Sequence, residues 1–159
     1  MELAVLTVSD RCSQGVAEDT AGPAVVAILR DNWPGARMHS ALVPDEESLI
    51  AEQLEQWAGQ GIALILTVGG TGLGPRDCTP EATRRLLDRE APGLAEAMRV
   101  RGSEQNPYAW LSRGVAGLRG RTLVVNLPGS RRGAEESLMA ILALIRHGIE
   151  VVGGGQSHP

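Results

Sequence analysis

The glycine-rich segment from residue 69 to residue 81 has the residue types and spacing of an anion-binding loop. It reads Gly-Gly-Thr-Gly-Leu-Gly-Pro-Arg-Asp-Cys-Thr-Pro-Glu, with four glycines among its first six residues. Glycines let main-chain amides turn toward an anion, and the helix expected to begin at Thr79 would present its positive end to the same place. Arg76 offers a fork of donors for phosphate oxygens, while Asp77 can hold Mg²⁺ or accept a proton. We predict a phosphate-binding loop; the alternative is a plain turn in which Arg76 pairs with Asp77 or another neighbour.

Three further polar segments follow short apolar runs and could contact the same ligand. They are residues 9–11 (Ser-Asp-Arg), 44–46 (Pro-Asp-Glu) and 128–130 (Pro-Gly-Ser). In an open parallel sheet, ligands bind beyond the carboxyl ends of the strands, where these segments would meet the glycine-rich loop. Local roles are also open: Asp45 and Ser130 could cap helices, and Asp10 could form an Asx turn. The expected convergence of the segments favours a binding role for Asp45.

The basic residues exclude several kinds of chemistry. All fifteen are arginine, so the chain has no lysine for a Schiff base, a P-loop or a lysine general base. With nineteen acidic residues, the formal charge is −4, which does not favour a nucleic-acid binder or a membrane-surface protein. Anionic ligands must therefore be held locally, by arginine and by main-chain amides.

The cysteine and histidine residues do not form a metal-binding pattern. Cys12 and Cys78 lie far apart, and His39, His147 and His158 have no metal-ligand spacing. We interpret both cysteines as free thiols in a reducing compartment. The sequence shows no secretory leader and no apolar run long enough to span a membrane, so we expect a cytoplasmic location.

The apolar pattern predicts a single α/β domain over residues 1–152, followed by a flexible tail over residues 153–159. Strands are expected at residues 3–8, 37–43, 62–68 and 122–127, because these runs are short and rich in Val, Ile and Leu. Helices are expected at 21–31, from about residue 46, from Pro80 with Thr79 as the N-cap, from Leu94, and over the last apolar stretch around 138–149. The alternation predicts a three-layer α/β/α fold with a mostly parallel sheet. Residues 114–121 predict a minor antiparallel element before the last strand.

The motifs together resemble the MogA/MoaB family of molybdenum cofactor biosynthesis. The resemblance covers nearly the whole chain, and the glycine-rich string followed by Arg-Asp and Thr-Pro is its most specific part. The matching motifs are residues 9–11, 18–23, 44–46, 69–82, 111–114 and 126–130. Two departures are Cys78, where an aliphatic residue is commoner, and Arg131, where proline often stands.

The resemblance implies a molybdopterin adenylyltransferase. Such an enzyme joins AMP from ATP to the terminal phosphate of molybdopterin, requires Mg²⁺ and releases pyrophosphate. Family members are usually trimers, which implies a homotrimer here, with a downstream molybdenum-insertion protein as a further partner. Asp45 and Asp77 match the two carboxylates that the family needs for turnover, and we expect them to hold the metal. With the reasoning above, the predicted binding residues are Ser9, Asp10, Arg11, Gly69, Gly70, Thr71, Gly72, Arg76, Pro128, Gly129 and Ser130.

Two other functions stay open at this point. The first is a protein of the same family that binds molybdopterin without adenylating it, which the sequence separates poorly from an enzyme. The second is a nucleotide enzyme of the competence-damage type on the same fold. That type usually has Gly-Pro-Thr and paired aspartates in its loop, whereas this chain has Gly74-Pro75-Arg76-Asp77 followed by Cys-Thr-Pro.

Overall fold

A computed structural model describes residues 1–155 and contains one six-stranded sheet with helices on both faces. Four strands in the order β2-β1-β3-β6 are parallel, and β5 and β4 continue the sheet in antiparallel fashion. The strands are β1 (Glu2–Val8), β2 (Arg37–Val43), β3 (Leu64–Val68), β4 (Arg89–Glu90), β5 (Ala116–Arg119) and β6 (Thr122–Leu127). The predicted α/β fold, with its mostly parallel sheet and minor antiparallel element, is confirmed.

The inner strands are buried on both faces, which explains their continuous apolar sequences. Every residue of β3 and β6 is buried, and so is every residue of β1 after Glu2. β2 lies at the edge of the sheet and contains no fully buried residue. Because helices cover both faces of the central strands, most side chains on either face are apolar.

Two hydrophobic cores lie on opposite faces of the sheet and make the fold three-layered. The larger core packs α2, α5 and α6 against side chains such as Leu64 and Leu66, and the smaller packs α3 and α4 against Ile65. Successive strand residues alternate between the two cores, as the period of a strand requires. The helices are α1 (Asp10–Ser13), α2 (Ala21–Asn32), α3 (Glu47–Gly59), α4 (Thr79–Leu86), α5 (Pro92–Ser103) and α6 (Arg131–Val152), with a 3-10 helix at Pro107–Leu111.

The largest differences from the sequence-based elements concern helix starts and short elements. α4 begins at Thr79 with Cys78 as its N-cap, so the prediction that Thr79 caps this helix is wrong. The Thr79 side chain is fully buried, and its hydroxyl lies against Gly70 of the glycine-rich loop. The sequence patterns did not predict α1, β4 or the 3-10 helix, which are two to five residues long.

The carboxyl end of α6 is closed by three glycines. The amides of Gly153, Gly154 and Gly155 donate to main-chain carbonyls in the last turns of the helix, and Gly154 has a φ of +91°. The rest of the predicted tail, residues 156–159, lies outside the described residues, so the flexible tail stays a prediction. No helix within residues 1–155 combines the length and the apolar character that crossing a membrane requires.

Candidate active site

The candidate site lies at the edge of the sheet where the four parallel strands end. The loops after β1, β3 and β6 touch there: Gly69 packs against the carbonyl oxygen of Val8, and a Cβ on Gly129 would lie 3.2 Å from Gly69 Cα. Gly69 has a φ of +109°, which other residue types rarely adopt. Glycine is therefore required at this point both by its backbone conformation and by the close approach of the loops.

Asp10 and Asp45 connect the loops after β1 and β2. The Asp10 amide donates to Asp45 Oδ2 at 2.8 Å, and the Asp45 amide donates to Asp10 Oδ1 at 3.0 Å. Asp45 does not cap α3, whose N-cap is Glu46 and has no side-chain cap bond. The capping alternative for Asp45 therefore does not hold, and its carboxylate faces the convergence of the loops.

Arg76 extends this connection to the glycine-rich loop. Its Nε and Nη2 atoms donate to the two carboxylate oxygens of Asp10 at 2.9 and 3.0 Å. The partner is thus a residue 66 positions away in sequence, and not Asp77. The guanidinium is largely exposed, so it can also meet an anion that enters from solvent.

The charges in this cluster shift its carboxyl groups in opposite directions. The bidentate hydrogen bonds from Arg76 lower the pKa of Asp10. Partial burial raises the pKa of Asp45, and the negative charges of Asp10 and Asp77 raise it further. Asp45 is therefore partly buried and has two other carboxylates near it, and a bound cation would stabilise its ionised form.

The Asp77 side chain binds a main-chain amide of its own glycine-rich loop. Its Oδ2 accepts a hydrogen bond from the Gly74 amide at 2.8 Å, and a Cβ on Gly72 would lie 3.0 Å from the same oxygen. On the other side of the loop, Gly70 has a φ of +65° and approaches Asp45 Oδ1, which a Cβ would meet at 3.0 Å. The two carboxylates predicted to act in catalysis thus flank the same short glycine segment.

Arg113, which lies outside the glycine-rich loop, donates hydrogen bonds to main-chain carbonyls of that loop. Arg113 donates from Nε to the Gly72 carbonyl at 2.7 Å and from Nη2 to the Asp77 carbonyl at 2.8 Å. It also forms an ion pair with Glu81 on the first turn of α4, which lowers the pKa of that carboxyl. Sequence reasoning did not assign Arg113 a role, because no local pattern indicates which distant loop an arginine will reach.

A cavity of about 430 Å³ opens beside the glycine-rich loop. Among the predicted site residues, its wall contains Gly70, Thr71, Gly72, Asp77, Pro128, Gly129 and Ser130. The wall also contains polar residues of α5 and α6, and the two residues that flank the 3-10 helix, none of which we predicted as site residues; they include Arg99, Asn106, Ser112, Glu136 and Ser137. Tyr108, an aromatic residue that could stack on a flat ring, lines the cavity and is 74% exposed.

The remaining predicted site residues lie at the same edge but outside the cavity wall; they are Ser9, Asp10, Arg11, Asp45, Gly69 and Arg76. Ser9 caps α1 by accepting the Cys12 amide. Ser130, which does line the cavity, caps α6 by accepting the Gly133 amide. Arg11 is exposed on α1. Ligand contacts of Ser9, Asp10, Arg11 and Arg76 therefore stay predictions, while the capping role considered for Ser130 is present in the structure.

Buried polar side chains support the strand that precedes the Pro128 turn. Asn126 donates to the hydroxyl groups of Thr67 and Thr83, each at 2.9 Å, and its Oδ1 accepts the Val115 amide at 3.1 Å. These bonds join β3, α4 and β6 within the core. Since all of these groups are buried, they fix the relative positions of the loops that follow these elements.

Cys78 is not prepared to act as a nucleophile. Its thiol is partly buried, and burial, followed by the negative charge of Asp45, raises its pKa. A raised pKa keeps the thiol protonated near neutral pH, whereas thiolates are the reactive form. The structure thus favours the interpretation of Cys78 as a packing residue.

The donor groups of the site fit a magnesium ion that shares its ligands with a substrate. Residues 1–155 contain no cluster of three or more histidine, cysteine or acidic side chains that could hold a metal without help. Mg²⁺ at phosphate-transfer sites takes one or two carboxylates and completes its shell with substrate oxygens and water. Asp45 and Asp77 supply carboxylates of this kind, and both approach the same glycine segment.

Comparison with known proteins identifies the family. A family model described as a probable molybdopterin binding domain matches residues 4–147. The chain belongs to the MogA/MoaB family of molybdenum cofactor biosynthesis. A member of known structure, the molybdopterin biosynthesis enzyme MoaB from Thermus thermophilus, is 51% identical, with a TM-score of 0.86 and 96% of each chain covered.

Other relatives show how this MogA/MoaB chain compares in length. A molybdopterin adenylyltransferase of Helicobacter pylori strain J99 is 36% identical over 156 residues, which are 97% of this chain and 89% of that protein. The molybdenum cofactor synthesis protein cinnamon of Drosophila melanogaster is 41% identical over 150 residues, or 94% of this chain. The chain spans only 25% of the length of cinnamon.

Proposed function

We propose that this chain is a molybdopterin adenylyltransferase that uses ATP and Mg²⁺. The observation that carries the proposal is the pair of carboxylates, Asp45 and Asp77, on either side of a glycine-rich loop that forms one wall of a cavity. The name of the Helicobacter pylori relative, which this chain matches along most of both lengths, supports the same activity.

The reaction joins two anions and needs little acid–base chemistry from the protein. A terminal phosphate oxygen of molybdopterin attacks the α-phosphorus of ATP and forms a new P–O–P linkage. The bond from the α-phosphorus to the oxygen bridging to the β-phosphorus breaks, and pyrophosphate leaves with that electron pair. A phosphate oxygen is already deprotonated, so no lysine or histidine base is required, which agrees with a lysine-free chain.

The residues of this chain mainly align the two substrates and compensate their negative charge. Main-chain amides of residues 70–72 in the loop and of residues 129–130 in the turn can donate to phosphate oxygens. Asp45 and Asp77 would hold Mg²⁺, which supplies positive charge at the α-phosphate and on the leaving pyrophosphate. Arg76 is free to swing from Asp10 to a phosphate, because an exposed ion pair has little intrinsic stability.

The cavity is suited to the pterin part of molybdopterin. Its volume of about 430 Å³ lies within the range of small-molecule sites. Tyr108 can stack on the flat ring system, and Glu136 can accept hydrogen bonds from ring N–H groups. This arrangement would direct the phosphate of molybdopterin toward the loop that carries Asp77.

The test is AMP transfer by Asp77→Asn, with Asp88→Asn as a matched control. Purified protein is incubated with molybdopterin and Mg-ATP, and the adenylated pterin is quantified together with pterin binding. Asp77→Asn keeps the hydrogen bond from Gly74 but loses the charge, so we expect binding to persist and transfer to fall about a hundredfold or more. Asp88 also accepts a main-chain amide, that of Gly120, but it lies in the β4–β5 region; its variant should transfer AMP normally.

Two results would contradict the proposal. Near-wild-type transfer by Asp77→Asn would remove the role of that carboxylate. Wild-type protein that binds molybdopterin but forms no adenylated product would favour a binding or assembly function within the same family.

The cellular location, the oligomeric state and the partner of the protein are also proposed. We propose a cytoplasmic homotrimer that passes adenylated molybdopterin to a molybdenum-insertion protein. Sedimentation equilibrium of the purified protein tests the trimer, for which a single species of three times the chain mass of 16.8 kDa is expected.

A further inference from the structure

Arg113 contacts three parts of the glycine-rich loop at once. Its main-chain amide donates to the Thr71 carbonyl at 2.8 Å, and its side chain donates to the carbonyls of Gly72 and Asp77. The fourth contact is the ion pair with Glu81, at the start of the helix that follows the loop. A single residue thereby fixes both ends of the segment that contains Asp77.

The position of Arg113 separates it from direct contact with a ligand in the cavity. Gly72 and Asp77 line the 430 Å³ cavity, whereas Arg113 lies outside that wall and lines a neighbouring groove. Its charge is also matched by the carboxylate of Glu81. Arg113 therefore acts on a ligand through the loop and not through its own charge.

The three carbonyl contacts determine which way the amides of the loop point. In a trans peptide the C=O and N–H groups of one unit point in opposite directions, and no cis peptide is present in residues 1–155. With the carbonyls of Thr71, Gly72 and Asp77 turned toward Arg113, the next amides, on Gly72, Leu73 and Cys78, face away from it. A surface of amides without competing carbonyl oxygens is what an anion requires.

We propose that Arg113 is a positioning residue, which holds the glycine-rich loop in its anion-binding conformation and sets the location of Asp77. The inference rests on the proposed adenylyltransferase function and adds a residue on which it depends. The planar guanidinium of arginine can bind the main-chain carbonyls of Gly72 and Asp77 and the carboxylate of Glu81 at the same time. A lysine ammonium is a single point charge and cannot reach all three. Charge alone at position 113 is therefore insufficient.

The test compares Arg113→Met and Arg113→Lys with Arg119→Met. Arg119 is a matched control, because its guanidinium also binds two partners, Glu55 and Asp88, but contacts no part of the glycine-rich loop. The first measurement is hydrogen exchange of peptides that cover residues 69–78, which requires no substrate. The second is the AMP-transfer rate as a function of Mg²⁺ concentration.

We expect both Arg113 variants to exchange the loop amides at least about tenfold faster than wild type. Transfer should fall about a hundredfold, and half-maximal rate should require about tenfold more Mg²⁺, because Asp77 is displaced. Arg119→Met should change neither the loop exchange nor the Mg²⁺ requirement, even if its Tm falls equally. A mere loss of folded protein would not shift the Mg²⁺ requirement.

Unchanged loop exchange in Arg113→Met would overturn the inference, as would full recovery of exchange and rate in Arg113→Lys. If wild-type protein transfers no AMP, the proposed function fails, and the exchange data alone decide whether Arg113 holds the loop.

Discussion

Asp10 and Asp45 each accept a hydrogen bond from the main-chain amide of the other, although 35 residues separate them in sequence. The exchange joins the loops that follow two neighbouring parallel strands, β1 and β2. It leaves Asp10 able to bind the Arg76 guanidinium with both oxygens. Three segments that are distant in sequence are thus connected at the edge of the sheet where we propose that ATP binds.

Replacing Arg76 should weaken ATP binding with little effect on stability. The Arg76 side chain is 62% exposed, and exposed ion pairs add little to stability, so the Tm of Arg76→Met should change by less than about 3 °C. Loss of a charge-assisted contact to phosphate should raise KM for ATP about tenfold. Arg101→Met, which removes an exposed ion pair on α5, serves as the control for kinetics and melting. An unchanged KM for ATP in Arg76→Met would show that Arg76 binds only Asp10.

Gly70→Ala should disturb the site, while Gly61→Ala should not. Both glycines have positive φ, +65° and +77°, so alanine is strained at either position. A Cβ at Gly70 also collides with the Thr79 hydroxyl and lies 3.0 Å from Asp45 Oδ1, whereas Gly61 has open space around it. We expect Gly70→Ala to lose about 1–3 kcal/mol more unfolding free energy than Gly61→Ala, and at least about tenfold in transfer rate. Urea unfolding and the AMP-transfer assay measure both effects, and equal behaviour of the two variants would contradict the close contact.

The ion pair between Glu81 and Arg113 should make a pH-dependent contribution to stability. Hydrogen bonds from Arg113 lower the pKa of Glu81 below its ordinary value of 4.5. The folded state thus favours the ionised carboxylate, so the contribution is fully present above pH 4.5 and is lost as the pH falls through the lowered pKa. Glu81→Gln should therefore melt about 1–3 °C below wild type at pH 7, and the difference should shrink as the pH falls below 4.5 through the lowered pKa of Glu81. A Tm difference that is constant with pH would mean that the charge of Glu81 has no role.

The sequence predicts most of the sheet because its strands are buried on both faces. Continuous apolar runs mark β1, β3 and β6 within two residues of their observed ends, and the hairpin before β6 follows from its glycines. β4 has only two exposed residues, Arg89 and Glu90, and two residues show no periodicity. Its existence depends on pairing with β5, which is a tertiary contact.

The candidate site, like the sheet, can be predicted only in part from the sequence. Residues that directly follow strands, such as Asp45 and Gly70, can be located from sequence, because parallel strands bring their carboxyl ends to one edge. Arg113 and the cavity residues Arg99 and Asn106 cannot, since they come from α5 and from the segments on either side of the 3-10 helix. Whether these residues reach the site depends on how those elements pack, and residue spacing along the chain does not predict that packing.

Gly69 and Gly129 meet main chain against main chain, with no side chain between them. A contact between side chains can loosen when one of them changes rotamer, but this contact offers no such freedom. The two loops therefore form a rigid surface whose shape exists before any ligand binds. Binding of a ligand to this surface costs little conformational entropy of the protein, so rigid analogues that match its shape should bind with small entropic penalties.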